Sequence, residues 1–224
     1  MSVETIQACL DLFRKPRYLE IGVQDGYTFH GVSADSKIAV DPVFRFDVRK
    51  ARAQNPNAQY HAVSSDKFFS SYNEGPFDVV FIDGLHTAEQ TLRDLLNAVP
   101  HTRQNSLIVV DDVFPDSYAS SLPDEAEAFR LKKALNDPGP AWMGDVYKLV
   151  FFIETFMQQY SFATPIMGNP QLVLWRGARS DIPARTLSDV ASADFAQIQL
   201  EQGRLRRHSL ASVIAAAKLA GAGD

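Results

Sequence analysis

Five short apolar runs recur at close spacing, at residues 17–20, 36–41, 58–63, 77–82 and 106–110, the second ending in an acid and stopped by Pro42. Between them lie segments patterned for helices: 27–32, 43–54, a short one through Phe68 and Phe69, and 86–99. The runs have the length of buried strands, and turn residues such as Lys15-Pro16 and Asn55-Pro56-Asn57 bound them. The run Phe-Asp-Val-Val-Phe-Ile at 77–82 is continuous in apolar character and predicts a central strand. Strand–helix alternation at this spacing predicts an α/β fold with a mainly parallel sheet. Such sheets bind ligands beyond the carboxyl ends of their strands, near the point where strand order reverses. Glu20, Asp41, Ser65-Asp66, Asp83 and Asp111-Asp112 all fall at those ends. That rim is the expected site.

The first strand leads into Glu20-Ile-Gly22-Val-Gln-Asp-Gly26. Glycine at 22 and 26 lets the backbone turn sharply and leaves room for a ligand against it. The spacing differs from Gly-x-Gly-x-x-Gly, which holds a pyrophosphate on backbone N–H groups. Glu20 would repel a phosphate and suits a ligand with a free amino group. A nicotinamide dehydrogenase is therefore disfavoured.

The 224 residues suffice for a full core, and 46% of them are hydrophobic. No apolar run approaches the roughly 18 residues of a membrane span. Residues 146–157 include Lys148 and Glu154 and predict a buried helix. The start of the chain has acidic Glu4 and no secretory pattern. The single Cys9 excludes an internal disulfide framework and a cysteine zinc site, as suits a reducing cytoplasm. A net charge of −5 with mixed signs offers no nucleic-acid footprint. The expected partner is a small molecule, with neither nucleic acid nor membrane.

Further elements are legible. Residues 2–14 have helical spacing. A helix follows Pro123, with Asp124-Glu125 in its first turn and Lys132-Lys133 in its last, as the helix dipole prefers. Residues 136–140 (Asn-Asp-Pro-Gly-Pro) are a break. Strand-like runs occupy 160–165 and 171–175. The composition changes after Gly177, which suggests a domain over 1–177 and a helical extension over 178–224. The extension contains a weakly periodic segment at 187–200, a small basic cluster at 205–208 and an Ala-rich helix at 210–219. It is expected either to cover the site or to join subunits as a homo-oligomer.

From about residue 15 to 176 the chain resembles the class I S-adenosylmethionine-dependent methyltransferases. Glu20 through Gly26 looks like the family's first motif. Asp41 matches the acid that binds the ribose hydroxyls, and Ser65-Asp66 the position that contacts adenine. Phe-Asp-Val-Val-Phe-Ile-Asp83-Gly-Leu-His86 matches the fourth-strand motif. The resemblance implies a Rossmann-like, doubly wound, seven-stranded sheet with its last strand antiparallel. It also implies S-adenosylmethionine as cofactor, held by Glu20, Gly22, Gly26, Asp41, Ser65, Asp66 and Asp83. Asp41 is equally suited to start a turn before Pro42, and Asp66 to cap a helix.

Asp83-x-x-His86 and Asp111-Asp112 form a second constellation. Three carboxylates at adjacent strand ends are a costly cluster unless they share a cation. Hard oxygen ligands at Asp83, Asp111 and Asp112 suit Mg²⁺, Mn²⁺ or Ca²⁺, with Mg²⁺ expected. Such an ion would hold substrate oxygens while His86 takes the proton as catalytic base. This pattern is similar to that of metal-dependent small-molecule O-methyltransferases. The expected enzyme transfers a methyl group to a hydroxylated acceptor. The alternative is a protein of the same fold that binds the cofactor without catalysis. His86 as a helix-cap neighbour and Asp111-Asp112 as a solvated turn are the structural readings of the same residues. Loop residues Trp142, Tyr147 and Lys148 are candidates for the acceptor pocket, with Tyr147 better suited to the core.

Overall fold

The computed structural model of the protein describes residues 2–166, 168 and 170–224. The five predicted strands form as β1 (Arg17–Ile21), β2 (Ser36–Val40), β3 (Ala58–His61), β4 (Phe77–Ile82) and β5 (Thr102–Val110). They pair in parallel in the order β3-β2-β1-β4-β5. The sheet continues through β7 (Leu172–Arg176) and then β6 (Tyr160–Pro165), with β7 antiparallel to both neighbours.

An eighth strand departs from the expected seven. The two-residue β8 (Arg207–His208) pairs in parallel with Thr164 and Pro165 at the outer end of β6. It comes from the basic cluster of the extension. No hydrophobic period marks so short a strand, since open edge groups on β6 alone create it.

Side chains alternate between the two faces of the sheet. Leu19, Ile21, Val80, Ile82, Ile108 and Val110 join one apolar cluster, and Tyr18, Val79, Phe81, Leu107 and Val109 join the other. Every residue of β4 is buried, as a central strand requires. The first cluster takes in α5 (Ala88–Ala98) and α7 (Lys148–Phe156), together with Val190, Ile198 and Leu205 of the extension. The second takes in α1 (Ser2–Leu10), α2 (Tyr27–Gly31) and α10 (Leu210–Leu219). The extension thus packs on both faces. A buried charge fastens it: Glu154 of α7 meets Arg185, Arg204 and Arg206 at 3.5, 3.3 and 3.6 Å. No helix among the described residues is long and apolar enough to cross a membrane.

Two helices start later than their patterning suggests. Instead of 43–54, α3 covers Val48–Gln54, capped by Asp47. The preceding residues are drawn into a loop, because Val43 donates to Asp41 Oδ1 and Arg45 to the Gln24 carbonyl. Helix α5 starts at Ala88, with Thr87 as N-cap, so His86 stays outside it. Within α5, Leu95 is buried and Leu96 is half exposed.

Candidate active site

The strand order reverses between β1 and β4, and a cleft opens beyond their carboxyl ends with a cavity volume of about 770 Å³. Glu20, Gly22, Asp41, Ser65, Asp66, Asp83 and His86 line it, so six of the seven residues predicted to hold the cofactor meet in one place. Gly26 does not line it. Its φ of +80° and the His30 ring, 2.6 Å from where a Cβ would stand, make it a local turn residue before α2.

Geometry narrows what each acid can do. Asp41 Oδ2 accepts the N–H groups of Val23 and Gln24, both at 2.8 Å, and Oδ1 accepts that of Val43 at 2.7 Å. Three amides are spent on a group with about four acceptor sites, so Asp41 first of all holds the glycine turn in shape. Glu20 follows Tyr18 on the same face of β1 and is 1% exposed, with the Tyr18 hydroxyl donating to Oε2 at 2.6 Å. Burial pushes its carboxyl well above the usual range, although the Tyr18 hydrogen bond and the nearby Lys37 act against this. Lys37 is itself buried and donates to the Phe29 and Val32 carbonyls, closing the end of α2.

Sequence reasoning missed the inner polar face of α5. Gln90 and Asp94 line the cleft, and Gln90 Nε2 donates to Asp94 Oδ1 at 3.0 Å and to Ser65 Oγ at 3.3 Å. Burial raises the Asp94 carboxyl above its ordinary range, opposed by bonds from Ser65 and Gln90. Their spacing of four residues, which puts both on one helix face, was the available signal.

The second constellation assembles with one exchange. His86 Nε2 lies 3.4 Å from Asp83 Oδ1, and Nδ1 lies 3.1 Å from Asp112 Oδ2 and 2.7 Å from the Trp142 carbonyl. Asp83, His86 and Asp112 can each offer a ligand atom with all three atoms within 4.8 Å of one another. Asp112 reaches this point through a left-handed backbone, φ +61°, an uncommon conformation for a non-glycine residue. Asp111, expected as a ligand, turns away. Its Oδ1 accepts the Asp112 N–H at 2.9 Å, and its Oδ2 accepts from Gln171 Nε2 at 3.3 Å. The left-handed turn at Asp112, just beyond the end of β5, separates the directions of the two side chains.

Charge is concentrated here. Burial, and then the charge of Asp83, push the Asp111 carboxyl up to about 7. Burial and Asp111 hold the Asp112 carboxyl well above the usual range. Burial alone would lower His86, but its hydrogen bond to Asp83 and the charges of Asp112 and Asp83 outweigh this and raise it to about 9. Asp83 and Asp112, on either side of the ring, thus favour a proton on His86. Two carboxylates and an imidazole within reach of one point also form a donor set of a kind that suits a divalent ion.

Residues 19–113 match a family model described as a methyltransferase domain. Among solved structures, a Staphylococcus aureus protein assigned as a caffeoyl-CoA O-methyltransferase superposes with a TM-score of 0.56 at 15% identity, over 79% of this chain and 83% of that one. The O-methyltransferase TomG of Streptomyces achromogenes, involved in tomaymycin synthesis and solved with SAM, gives 0.48 at 18% identity over 79% of each chain. An O-methyltransferase from Bacillus cereus in complex with SAH gives 0.47 at 15% identity, over 77% of this chain and 78% of that one. The first of these shows the fold, a Rossmann-like α/β sheet. Comparison with curated protein sequences finds no match. The segment matched by the family model holds the whole rim from Glu20 to Asp112. Trp142, one of the acceptor-pocket candidates, belongs to the chain beyond it and reaches back to His86. Tyr147 is 4% exposed and belongs to the core.

Proposed function

We propose that the protein is an S-adenosylmethionine-dependent methyltransferase acting on a hydroxyl of a small molecule, with His86 as base and a divalent cation at Asp83 and Asp112. The observation that carries this reading is the meeting of Asp83, His86 and Asp112 at the edge of a cleft lined by Glu20, Gly22, Asp41, Ser65 and Asp66. The chemistry supplied by S-adenosylmethionine is a methyl group on a sulfonium, open to in-line attack. What the chain must add is alignment and removal of one proton.

The residues are suited to those tasks. Gly22 lets the turn after β1, which lines the cleft, pack directly against the backbone of Asp83. Asp41 keeps the turn rigid and retains little acceptor capacity for ribose hydroxyls, so its part in binding is chiefly indirect. Ser65 and Asp66, on the far side of the cleft, would take the adenine. His86 receives the hydroxyl proton of the acceptor, and Asp83 and Asp112 stabilise the imidazolium that results. A cation held by the two carboxylates would lower the pKa of that hydroxyl.

A second reading takes His86 as a third ligand, because a ring nitrogen lies within the same group of donor atoms. Calorimetric titration of S-adenosylmethionine, first with EDTA and then with Mn²⁺ or Mg²⁺, tests the proposal. Micromolar cofactor binding is expected, together with Mn²⁺ binding that Asp112→Asn abolishes. A protein that binds no S-adenosylmethionine under either condition is not a methyltransferase. Cofactor binding without turnover on any hydroxylated acceptor would favour the non-catalytic alternative.

A further inference from the structure

Residues 142–145 grip the segment that carries His86 at several points. The Trp142 carbonyl lies 2.7 Å from His86 Nδ1, and the Trp142 ring stacks on the imidazole with centroids 5.0 Å apart and planes 23° apart. Gly144 has φ +60° and passes so close that a Cβ would stand 1.6 Å from the His86 carbonyl oxygen. Asp145 Oδ1 accepts the Ala88 N–H at 2.7 Å, holding the first turn of α5. The gripping segment is itself anchored on the loop after β5. Met143 and Gly144 donate to the Ser120 carbonyl at 3.0 and 2.9 Å, and Trp142 Nε1 donates to that of Leu122 at 2.7 Å.

These contacts decide between the two nitrogens of His86. A carbonyl oxygen can only accept, so Nδ1 must carry the hydrogen that faces Trp142. The other neighbour of Nδ1, Asp112 Oδ2 at 3.1 Å, also favours a proton there. In the neutral ring the lone pair then sits on Nε2, which faces Asp83.

We propose that the 142–145 segment is the positioning device of His86, holding its neutral imidazole as the Nδ1–H tautomer and making Nε2 the reactive nitrogen. This rests on the reading that His86 acts in the site, and it applies whether Nε2 takes a proton or binds a metal. Trp142 and Asp145 are positioning residues, acting through His86 and not on substrate.

The test is ¹⁵N NMR of the full chain labelled at histidine, with the His86 signals identified by their loss in His86→Gln. Spectra are recorded at alkaline pH, where the ring is neutral, with circular dichroism confirming the fold. The expected spectrum has a protonated Nδ1 and a bare Nε2. A proton on Nε2, or an average over both nitrogens, would overturn the proposal. Asp145→Asn keeps an acceptor for the Ala88 N–H while losing the ion pair to Lys148, and should retain the wild-type pattern. Asp145→Ala removes the acceptor and should average the two tautomers. Identical spectra for wild type and Asp145→Ala would overturn the part given to Asp145. Mn²⁺ titration separates this from the functional reading: Asp145→Ala should bind about 10-fold more weakly, the scale of lost ligand orientation. A wild type that binds no Mn²⁺ yet shows the Nδ1–H tautomer refutes the metal site and leaves the tautomer assignment standing.

Discussion

The backbone of Gly22 lies so close to that of Asp83 that a Cβ on Gly22 would stand 1.8 Å from the Asp83 carbonyl oxygen. The contact joins the turns after β1 and β4, the two strands between which the sheet reverses its order. It also aligns the cofactor side of the cleft with the carboxylate beside His86. Its consequences can be measured.

Gly22→Ala should damage fold and cleft together. The φ of +82° is strained for alanine, and the added methyl overlaps main-chain atoms that cannot swing aside. Urea denaturation should show a loss of more than about 2 kcal/mol. A variant with wild-type stability and cofactor affinity would mean that the two turns are not packed in this way.

Asp41→Ala should loosen the turn before it alters any direct ligand contact. Three N–H groups lose their acceptor, each bond worth about 1.5–3 kcal/mol when the acceptor is charged and less where solvent reaches it. Hydrogen exchange at Val23, Gln24 and Val43 should accelerate, and S-adenosylmethionine affinity should drop at least 10-fold. Loss of affinity with unchanged exchange would instead assign Asp41 to the ribose alone.

Glu154→Gln should release the extension. The three arginines keep Glu201 or Asp181 as partners, so the cost is that of the lost charged contacts to the buried Glu154, about 1.5–3 kcal/mol. Thermal unfolding should shift down, and limited proteolysis should cut within 178–209 before the rest of the chain. Unaltered cleavage would show that the apolar contacts of Val190, Ile198 and Leu205 hold the extension without the charge.

Cys9 should be silent in the native protein. It is fully buried, and burial pushes its thiol from 9.0 up to about 12. A thiol reagent at pH 8 should label it only after denaturation. The raised folded pKa means that the folded state keeps its proton longer than the unfolded chain does. Its contribution to stability is therefore full below pH 9 and lost as pH rises towards 12. Cys9→Ala should flatten that alkaline decline.

Most of the scaffold was legible because strand and helix periodicities are local. The run at 77–82 became a strand with those bounds, the one at 36–41 ended one residue earlier at Val40, and the Ala-rich helix formed at 210–219 as read. The misplacements share one cause, a side chain capturing backbone that periodicity would have given to a helix. Asp41 takes the amide of Val43 and delays α3, while Thr87 and Asp145 place the start of α5 beyond His86. The strand β8 was illegible, since two residues carry no period.

For the site, residue order along the chain determined that acids crowd one rim, because every parallel strand ends on the same side of the sheet. Glu20, Asp41, Asp66, Asp83 and the Asp111-Asp112 pair are there for that reason alone. Only the tertiary structure decided which of them are free to act. Asp41 is spent on the glycine turn, Asp111 on Gln171, and Asp112 is left to meet His86 with Asp83. The orientation of His86 depends on a carbonyl 56 residues away. Strand periodicity is written in neighbouring residues, whereas the partner of each lone pair is set by loops that arrive from elsewhere in the chain.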